Sequence, residues 1–272
     1  ELDDETMVVG KFYRPGRWSK AAILAEHQFL KELEEVEIPV ASPIDLGDGE
    51  TVGIVDGIYY SLFPRKGGRN PEELGDEQVQ MLGRLLGRIH NVGAMAKAPE
   101  RINLNPTSYG HANLNFLLEN DLIPADAREN FKITVESLLM RIEPMFKGID
   151  NIRIHGDCHF GNVLWTPDGA TFLDFDDMAN GPAVQDMWML VPGYDEHARL
   201  QREVLIEAYE SFREFNRQEM RLIEPLRALR YIHYASWIAR RWEDPIFKRT
   251  FEYFGTIQYW QKETLDLREQ IG

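Results

Sequence analysis

In the stretch IHGDCHFGNVLW, residues 154–165, two histidines, an aspartate, a cysteine and an asparagine fall within eight positions, flanked by apolar residues. A second acidic knot, FLDFDD, places Asp174 twelve residues after Asn162. Groups of these types can hold a metal, attack a bond or position a phosphate. The intervening VLWTPDGATFL reads as strand, turn at Pro167–Gly169, and strand. A hairpin brings its two ends together, so Asn162 and Asp174 are expected to meet, with Asp157 on the preceding loop. That is two oxygen ligands and a further carboxylate in one place. Oxygen donors favour a hard cation, and Mg²⁺ keeps waters for substrate phosphates. A metal held by Asp and Asn, with a separate Asp to take a hydroxyl proton, is a layout that suits phosphoryl transfer.

The competing chemistries need more than the chain offers. Zinc held by His155, Cys158 and His159 wants further sulfur or nitrogen ligands, and Cys158 is the only cysteine. A nucleophilic Cys158 needs a paired base, while the nearby carboxylates raise its pKa. His155 is expected to orient the loop by hydrogen bonding. His159 either lines the pocket or caps the loop. Asp176 is open between a metal or water contact and a plain structural role.

These groups need elements to hold them. TMVVGKFY (6–13) predicts a strand and RPGRW a turn; Ser19 predicts the N-cap of a helix to about Glu35. Residues 38–46, with two prolines, suit extended chain; GDGE (47–50) suits a hairpin-type turn; and 51–64 suit two short strands. After a linker from residue 65, Leu82, Leu85, Leu86 and Ile89 share a helical face behind an expected Asp76 cap. Further helices are expected over 125–147, 199–216, 219–242 and 252–270. The shift in pattern near residue 64 predicts an α+β chain of two lobes: an N-lobe, 1–63, with an antiparallel sheet and one helix, and a helical C-lobe, 64–272, carrying the hairpin 152–176. Residues 221–242 fit an amphipathic packing helix better than a substrate surface.

Composition narrows the function classes. The chain has 272 residues and a formal charge of −15, which argues against a nucleic-acid binder. No apolar run reaches the ~18 residues of a membrane span. The acidic start lacks a secretion signal, and a single cysteine fits a reducing, cytoplasmic setting. The chain opens without Met and runs at once into strand-like residues, so the expectation is that upstream residues are missing.

Together, HGDCHFGNVLW and FLDFDD resemble the catalytic and metal loops of the eukaryotic-like kinase superfamily, in its aminoglycoside phosphotransferase and choline kinase branch. VVGKFYRPGRW, AEHQF, GPAVQDMWML, IEPLRALR and ARRWEDP extend the resemblance to the bacterial stress response kinase A family, in order along almost the whole chain. The resemblance implies a cytoplasmic, monomeric Ser/Thr protein kinase acting on a protein substrate, possibly itself, with ATP and Mg²⁺. By the same resemblance, Lys11 contacts the ATP phosphates and Glu26 is its ion-pair partner. Ser61, Leu62 and Phe63 form the hinge that meets adenine. Asp157 is the catalytic base, Asn162 and Asp174 are the Mg²⁺ ligands, and Asp186 braces the catalytic loop through backbone N–H groups. A kinase for a small hydroxyl acceptor (an aminoglycoside, choline or homoserine type) is the alternative within the fold. A nucleotide-binding pseudokinase is the alternative outside catalysis. Three departures matter. Gly156 stands where protein kinases carry an arginine, Asp176 stands where they carry glycine, and no Gly-rich phosphate loop precedes Lys11. The short run from Asp174 to Asp186 leaves little room for an activation loop.

Overall fold

The computed structural model describes residues 7–70, 73–166 and 169–270. Thr6 of the expected first strand, residues 71–72 of the expected linker, and Pro167 and Asp168 of the expected hairpin turn lie outside the described residues. In chain order the elements are β1 (Val8–Phe12), α1 (Lys20–Glu35), β2 (Gly53–Val55), β3 (Ile58–Pro64), α2 (Asp76–Met95), α3 (Ala112–Glu119) and α4 (Ala125–Ile142). There follow β4 (Ile152–Ile154), β5 (Val163–Thr166), β6 (Gly169–Phe172), β7 (Ala179–Gly181), α5 (Val184–Leu190), α6 (Glu196–Tyr209), α7 (Ile223–Ala239), α8 (Pro245–Thr250) and α9 (Ile257–Glu269). Small antiparallel sheets segregated among helices make the fold α+β.

Two compact units are each assembled from two stretches of chain: 1–102 with 151–216, and 103–150 with 217–272. In the first, the sheet runs β1-β3-β2, all antiparallel, with Lys11 opposite Ser61. Asp56 and Gly57 both take positive φ, 48° and 78°, and so form the tight β2–β3 turn whose twist matches the strands. Ser19 caps α1 as its sequence predicts, its Oγ accepting from the Ala22 N–H at 3.1 Å. The same face of α1 buries Ile23, Phe29, Leu30 and Leu33 and carries Glu26 inward with them. GDGE does turn, with the Asp45 carboxylate accepting from Gly47 and Gly49, but extended chain rather than strands flanks it. An isolated bridge from Val40 to Phe172 joins that extended chain to the β5–β6 hairpin, which is one reason the N-terminal strands group with it.

Helix α2 starts one residue earlier than its expected cap implies. Gly75 is the N-cap, its N–H donating to Gln78 Oε1 at 3.0 Å, while Asp76 and Glu77 sit in the first turn, where the helix dipole favours acids. Helices α2 and α6 approach closely because Gly83 and Gly87 present no side chain to Leu205, Ala208 and Tyr209.

The second unit is helical, with Phe131, Phe254 and Trp260 at its centre; the Phe131 and Trp260 rings meet edge-on, centroids 5.0 Å apart. Its helices are shorter than their periodicity predicts, for local reasons. α4 passes into a 3₁₀ turn at Glu143–Phe146, where Pro144 has no N–H to continue the ladder. A 3₁₀ turn, Arg217–Leu222, precedes α7, which buries Leu226, Leu229, Ile232, Ala235 and Ile238 as a packing helix. Thr256 caps α9 through its Oγ1. A π-helical turn at Pro106–His111, capped by Asn105, has no counterpart in the apolar periodicity.

A Cβ at Gly83 would lie 2.3 Å from the Leu205 carbonyl oxygen. Overpacking costs about 1–3 kcal/mol, whereas alanine gains about 1 kcal/mol in helix propensity over glycine. Gly83→Ala is therefore expected to lower the midpoint of urea unfolding despite the better helix former. A raised midpoint would show that α2 and α6 can separate at little cost.

Candidate active site

Strand β1 projects Lys11 toward two acidic elements. Its Nζ lies 2.9 Å from Asp174 Oδ1, 3.2 Å from Asp176 Oδ1 and 3.7 Å from Glu26 Oε1. Burial acts to lower the pKa of this ammonium, but Glu26, Asp176 and Asp174 outweigh it and hold the group charged. Burial would also raise Asp174, yet Lys11 keeps it below the usual carboxylate range. Glu26 is fully buried, and desolvation lifts its pKa from 4.5 to about 7 against the pull of Lys11. Asp174 itself holds a left-handed backbone, φ 58° and ψ 65°, an uncommon conformation for a residue with a side chain.

The loop that carries Asp157 is held by backbone hydrogen bonds. Asp186, on α5, accepts from the N–H of His155 at 2.8 Å and of Gly156 at 2.9 Å, and His90 approaches its Oδ2 at 3.0 Å. The bracing role that the family resemblance implies for Asp186 is thus present in the structure. His155 orients the loop, as expected: its Nε2 donates to the Leu173 carbonyl at 2.8 Å, leaving Nδ1 to accept from the Asp157 N–H. His159 caps the loop, the first of the two roles its position allows, and is not among the residues lining the cavity described below. Its Nδ1 caps the Phe160–Asn162 turn by accepting from Gly161, and its Nε2 faces Asp157 Oδ2 at 3.5 Å. Cys158 is fully buried, and desolvation first, then Asp186 and Asp157, push its thiol pKa up, which removes it as a nucleophile.

The hairpin closes as the sequence predicts. Val163 pairs with Phe172, and the Leu173 N–H donates to the Asn162 carbonyl at 2.8 Å, so Asn162 lies beside the residue preceding Asp174. The Asn162 amide N–H donates to the Asp157 carbonyl at 2.9 Å, tying the two loop residues together. Asp174 brings a carboxylate and Asn162 an amide oxygen, a donor set that fits a hard divalent cation completed by waters and phosphate oxygens. Among the described residues no three His, Cys, Asp or Glu side chains cluster as a ready-made cage.

A cavity of about 360 Å³ lies over this network, lined by Val9, Lys11, Glu26, Phe63, Leu173 and Asp174 among others. Of the three expected hinge residues, Phe63 alone lines it. Ser61 is fully buried in mid-strand opposite Lys11, and the Leu62 carbonyl is taken by the Ile44 N–H. The lining continues instead through Pro64, Arg65 and Lys66, where β3 ends and its backbone leaves the ladder.

Sequence reasoning also passed over three residues that hold the loops. Arg17 pairs with Asp176 at 2.5 Å and with Asp177 at 2.7 Å. Arg101 donates to the carbonyls of Asp176, Met178 and Ala22, and its guanidinium stacks 4.0 Å from the Trp18 ring. Asn70 donates to the carbonyls of Phe160, Gly161 and Val163. Each sits in a turn or linker and works through backbone or distant partners, so no local spacing reveals it.

A buried lysine–glutamate pair on a strand and helix, a loop aspartate and asparagine, and a hairpin aspartate form one constellation within the first unit. The sequence agrees: residues 2–223 match the phosphotransferase enzyme family. The chain belongs to that family. It is 40% identical over 98% of its length to stress response kinase A of Escherichia coli strain K12, covering 81% of that protein. It is equally close to the serine/threonine protein kinase RdoA of Salmonella typhimurium, with the same coverage. In fold it is similar to the amicoumacin kinase hAmiN, with TM-score 0.73 and 18% identity over 93% of this chain and 83% of that one. A microcompartment-associated aminopropanol kinase follows, with TM-score 0.69 and 19% identity over 98% of this chain and 85% of that one. The backbone gives a reason for the glycine at 156. That residue has φ 87°, and a Cβ there would lie 2.1 Å from the Asp177 carbonyl oxygen.

The raised pKa of Glu26 fixes the sign of a pH dependence. Unfolded, the group ionises near 4.5; folded, near 7. Its contribution to stability is whole below pH 4.5, falls as pH rises between the two values, and is lost above the folded pKa, by an amount on the order of 3 kcal/mol. Glu26→Gln is expected to flatten urea-unfolding stability across that window. An unchanged slope would place the titration elsewhere.

Proposed function

We propose that this phosphotransferase is an ATP-dependent Ser/Thr protein kinase of bacterial stress response, working in the cytoplasm as a monomer and transferring the γ-phosphoryl group to a protein hydroxyl. The observation that carries the reading is the meeting of Lys11, Glu26 and Asp174 beneath one cavity, with Asn162 beside Asp174 at the same end of the hairpin and tied to Asp157 on the preceding loop. The names of the 40% identical relatives support the protein acceptor and the stress-response setting. No helix among the described residues is long and apolar enough to cross a membrane.

In this reading Lys11 exchanges part of its contact with Asp174 for the α- and β-phosphates, while ionised Glu26 keeps its side chain extended. Val9, Leu30, Ala41 and Phe63 give the cavity apolar walls for the adenine ring, and the backbone of residues 63–66 is the segment available to its polar edge. Asn162 and Asp174 hold Mg²⁺, which when bound neutralises charge on the phosphates. Asp157 orients the acceptor hydroxyl and takes its proton late. Asp186 and His155 keep that loop in place by the hydrogen bonds described above, so that catalysis rests on positioning and fixed charge more than on a reactive nucleophile. Between Asp174 and Asp186 the chain runs through a 3₁₀ turn (Phe175–Asp177), β7 and the start of α5, leaving no stretch for a phosphorylated activation segment.

Two measurements test this. With radiolabelled ATP, Mg²⁺ and a panel of protein and small hydroxyl acceptors, wild type is expected to label a protein, itself included. Asp157→Asn should lose at least about 100-fold in kcat while retaining nucleotide affinity, since general-base contributions run from ~10² to ~10⁴. Full turnover in the variant would remove Asp157 from the chemistry; labelling confined to small alcohols would move the acceptor to that class. Phosphatase-treated protein is expected to start at full rate, without a lag, and a lag abolished by preincubation with ATP would contradict the absence of an activation segment.

A further inference from the structure

The acidic run of the metal loop contains three carboxylates in four positions, Asp174, Asp176 and Asp177, yet the proposed Mg²⁺ site uses one of them. The other two are engaged by a single side chain. Arg17, in the turn between β1 and α1, places Nη1 2.5 Å from Asp176 Oδ2 and Nη2 2.7 Å from Asp177 Oδ1. Lys11 approaches the second oxygen of Asp176 at 3.2 Å, so both oxygens of that buried carboxylate face cations. The turn is itself held. The Trp18 ring has the Arg17 guanidinium 5.4 Å and the Arg101 guanidinium 4.0 Å from its centroid. Arg101 in turn fixes the backbone of the acidic run through the carbonyls of Asp176 and Met178. A planar fork reaching two carboxylates at once is geometry that arginine supplies and lysine does not.

We infer that Arg17 is a positioning residue that reserves Asp176 and Asp177 away from the divalent cation, so that Asp174 is the carboxylate the metal loop offers it. This rests on the kinase reading for its purpose but not for its chemistry. Without the guanidinium, Asp176 would be a buried carboxylate facing Lys11, with Arg101 acting on it only from its backbone side, two residues from Asp174. A divalent ion is then the nearest replacement charge, and it would be drawn toward a carboxylate pair instead of the Asn162 and Asp174 donors. The inference also gives a reason for the aspartate at 176, where a glycine would leave Arg17 without its shorter contact.

The test is a Mn²⁺ titration of the full chain, read by electron paramagnetic resonance without nucleotide, for wild type, Arg17→Met, Arg17→Lys and the double variant Arg17→Met/Asp176→Asn. Arg17→Met is expected to bind Mn²⁺ about 10-fold more tightly than wild type, and the added Asp176→Asn to return affinity to the wild-type value; partners around metal ligands commonly shift affinity by ~10–100-fold. Arg17→Lys should fall between, since it keeps the charge and loses the fork. In the kinase assay Arg17→Met should lose at least about 10-fold in kcat with the KM for ATP changed by less than about threefold, a split that general unfolding does not give. Thermal midpoints check folding, and if Arg17→Met does not fold, the Arg17→Lys titration decides. Mn²⁺ affinity unchanged in the folded variants, or raised but not reversed by Asp176→Asn, overturns the inference. Because the titration needs no turnover, a wild type without kinase activity would sink the proposed function and leave this result standing.

Discussion

Carboxylates buried together repel one another, and the first unit confronts that problem at its centre. Glu26 and Asp176 are removed from water, with Asp174 and Asp177 close by, and the compensation comes from Lys11, Arg17 and Arg101. A charge taken out of water is tolerable only where partners replace the lost solvation. The architecture follows from supplying those partners. β1 presents Lys11, the turn after it presents Arg17, α1 turns Glu26 inward along its apolar face, and the end of the unit's first stretch of chain delivers Arg101 to the same loop. Removing any one cation leaves the others short, which makes the network cooperative.

That balance connects stability to function. Asp174 keeps a left-handed backbone only because its surroundings over-determine it: Lys11 holds the side chain, Arg101 holds the carbonyls that follow, and His155 holds the carbonyl of Leu173 before it. The catalytic loop shows the same economy. One buried carboxylate, Asp186, satisfies two successive N–H groups and is steadied by His90, which Tyr209 contacts on its other nitrogen. Rigid loops of this kind suit a reaction whose demands are placement and charge rather than a reactive side chain.

Much of this was legible in the residues, and the pattern of success is physical. The Ser19 cap, the β2–β3 pair and the 163–172 hairpin depend on neighbours in sequence, and each stands where local chemistry predicts it. The closeness of Asn162 to Asp174 follows from hairpin closure alone. The family resemblance supplied the lysine–glutamate pair and the anchor at Asp186, which no spacing could. What stayed hidden depends on partners far along the chain. Arg17 meets Asp177 across 160 positions and Asn70 meets Gly161 across 91, and neither has a periodic signature. Strand β7, three residues of Ala-Asn-Gly, exists because β4 offers it a ladder. Of the residues expected at the hinge, Phe63 lines the cavity and the lining runs on through Pro64, Arg65 and Lys66, a continuation that aromatic, β-branched composition does not reveal.

Gly156 constrains where this chain can go in evolution. The position that carries an arginine in protein kinases with a phosphate-sensing loop is here folded against the Asp177 carbonyl, with a backbone that L-residues avoid. No single codon change could install the missing sensor, because the first atom of any side chain would collide before its charge mattered. A lineage built on this loop therefore cannot place a side chain at 156 without first moving the Asp177 carbonyl that the position packs against.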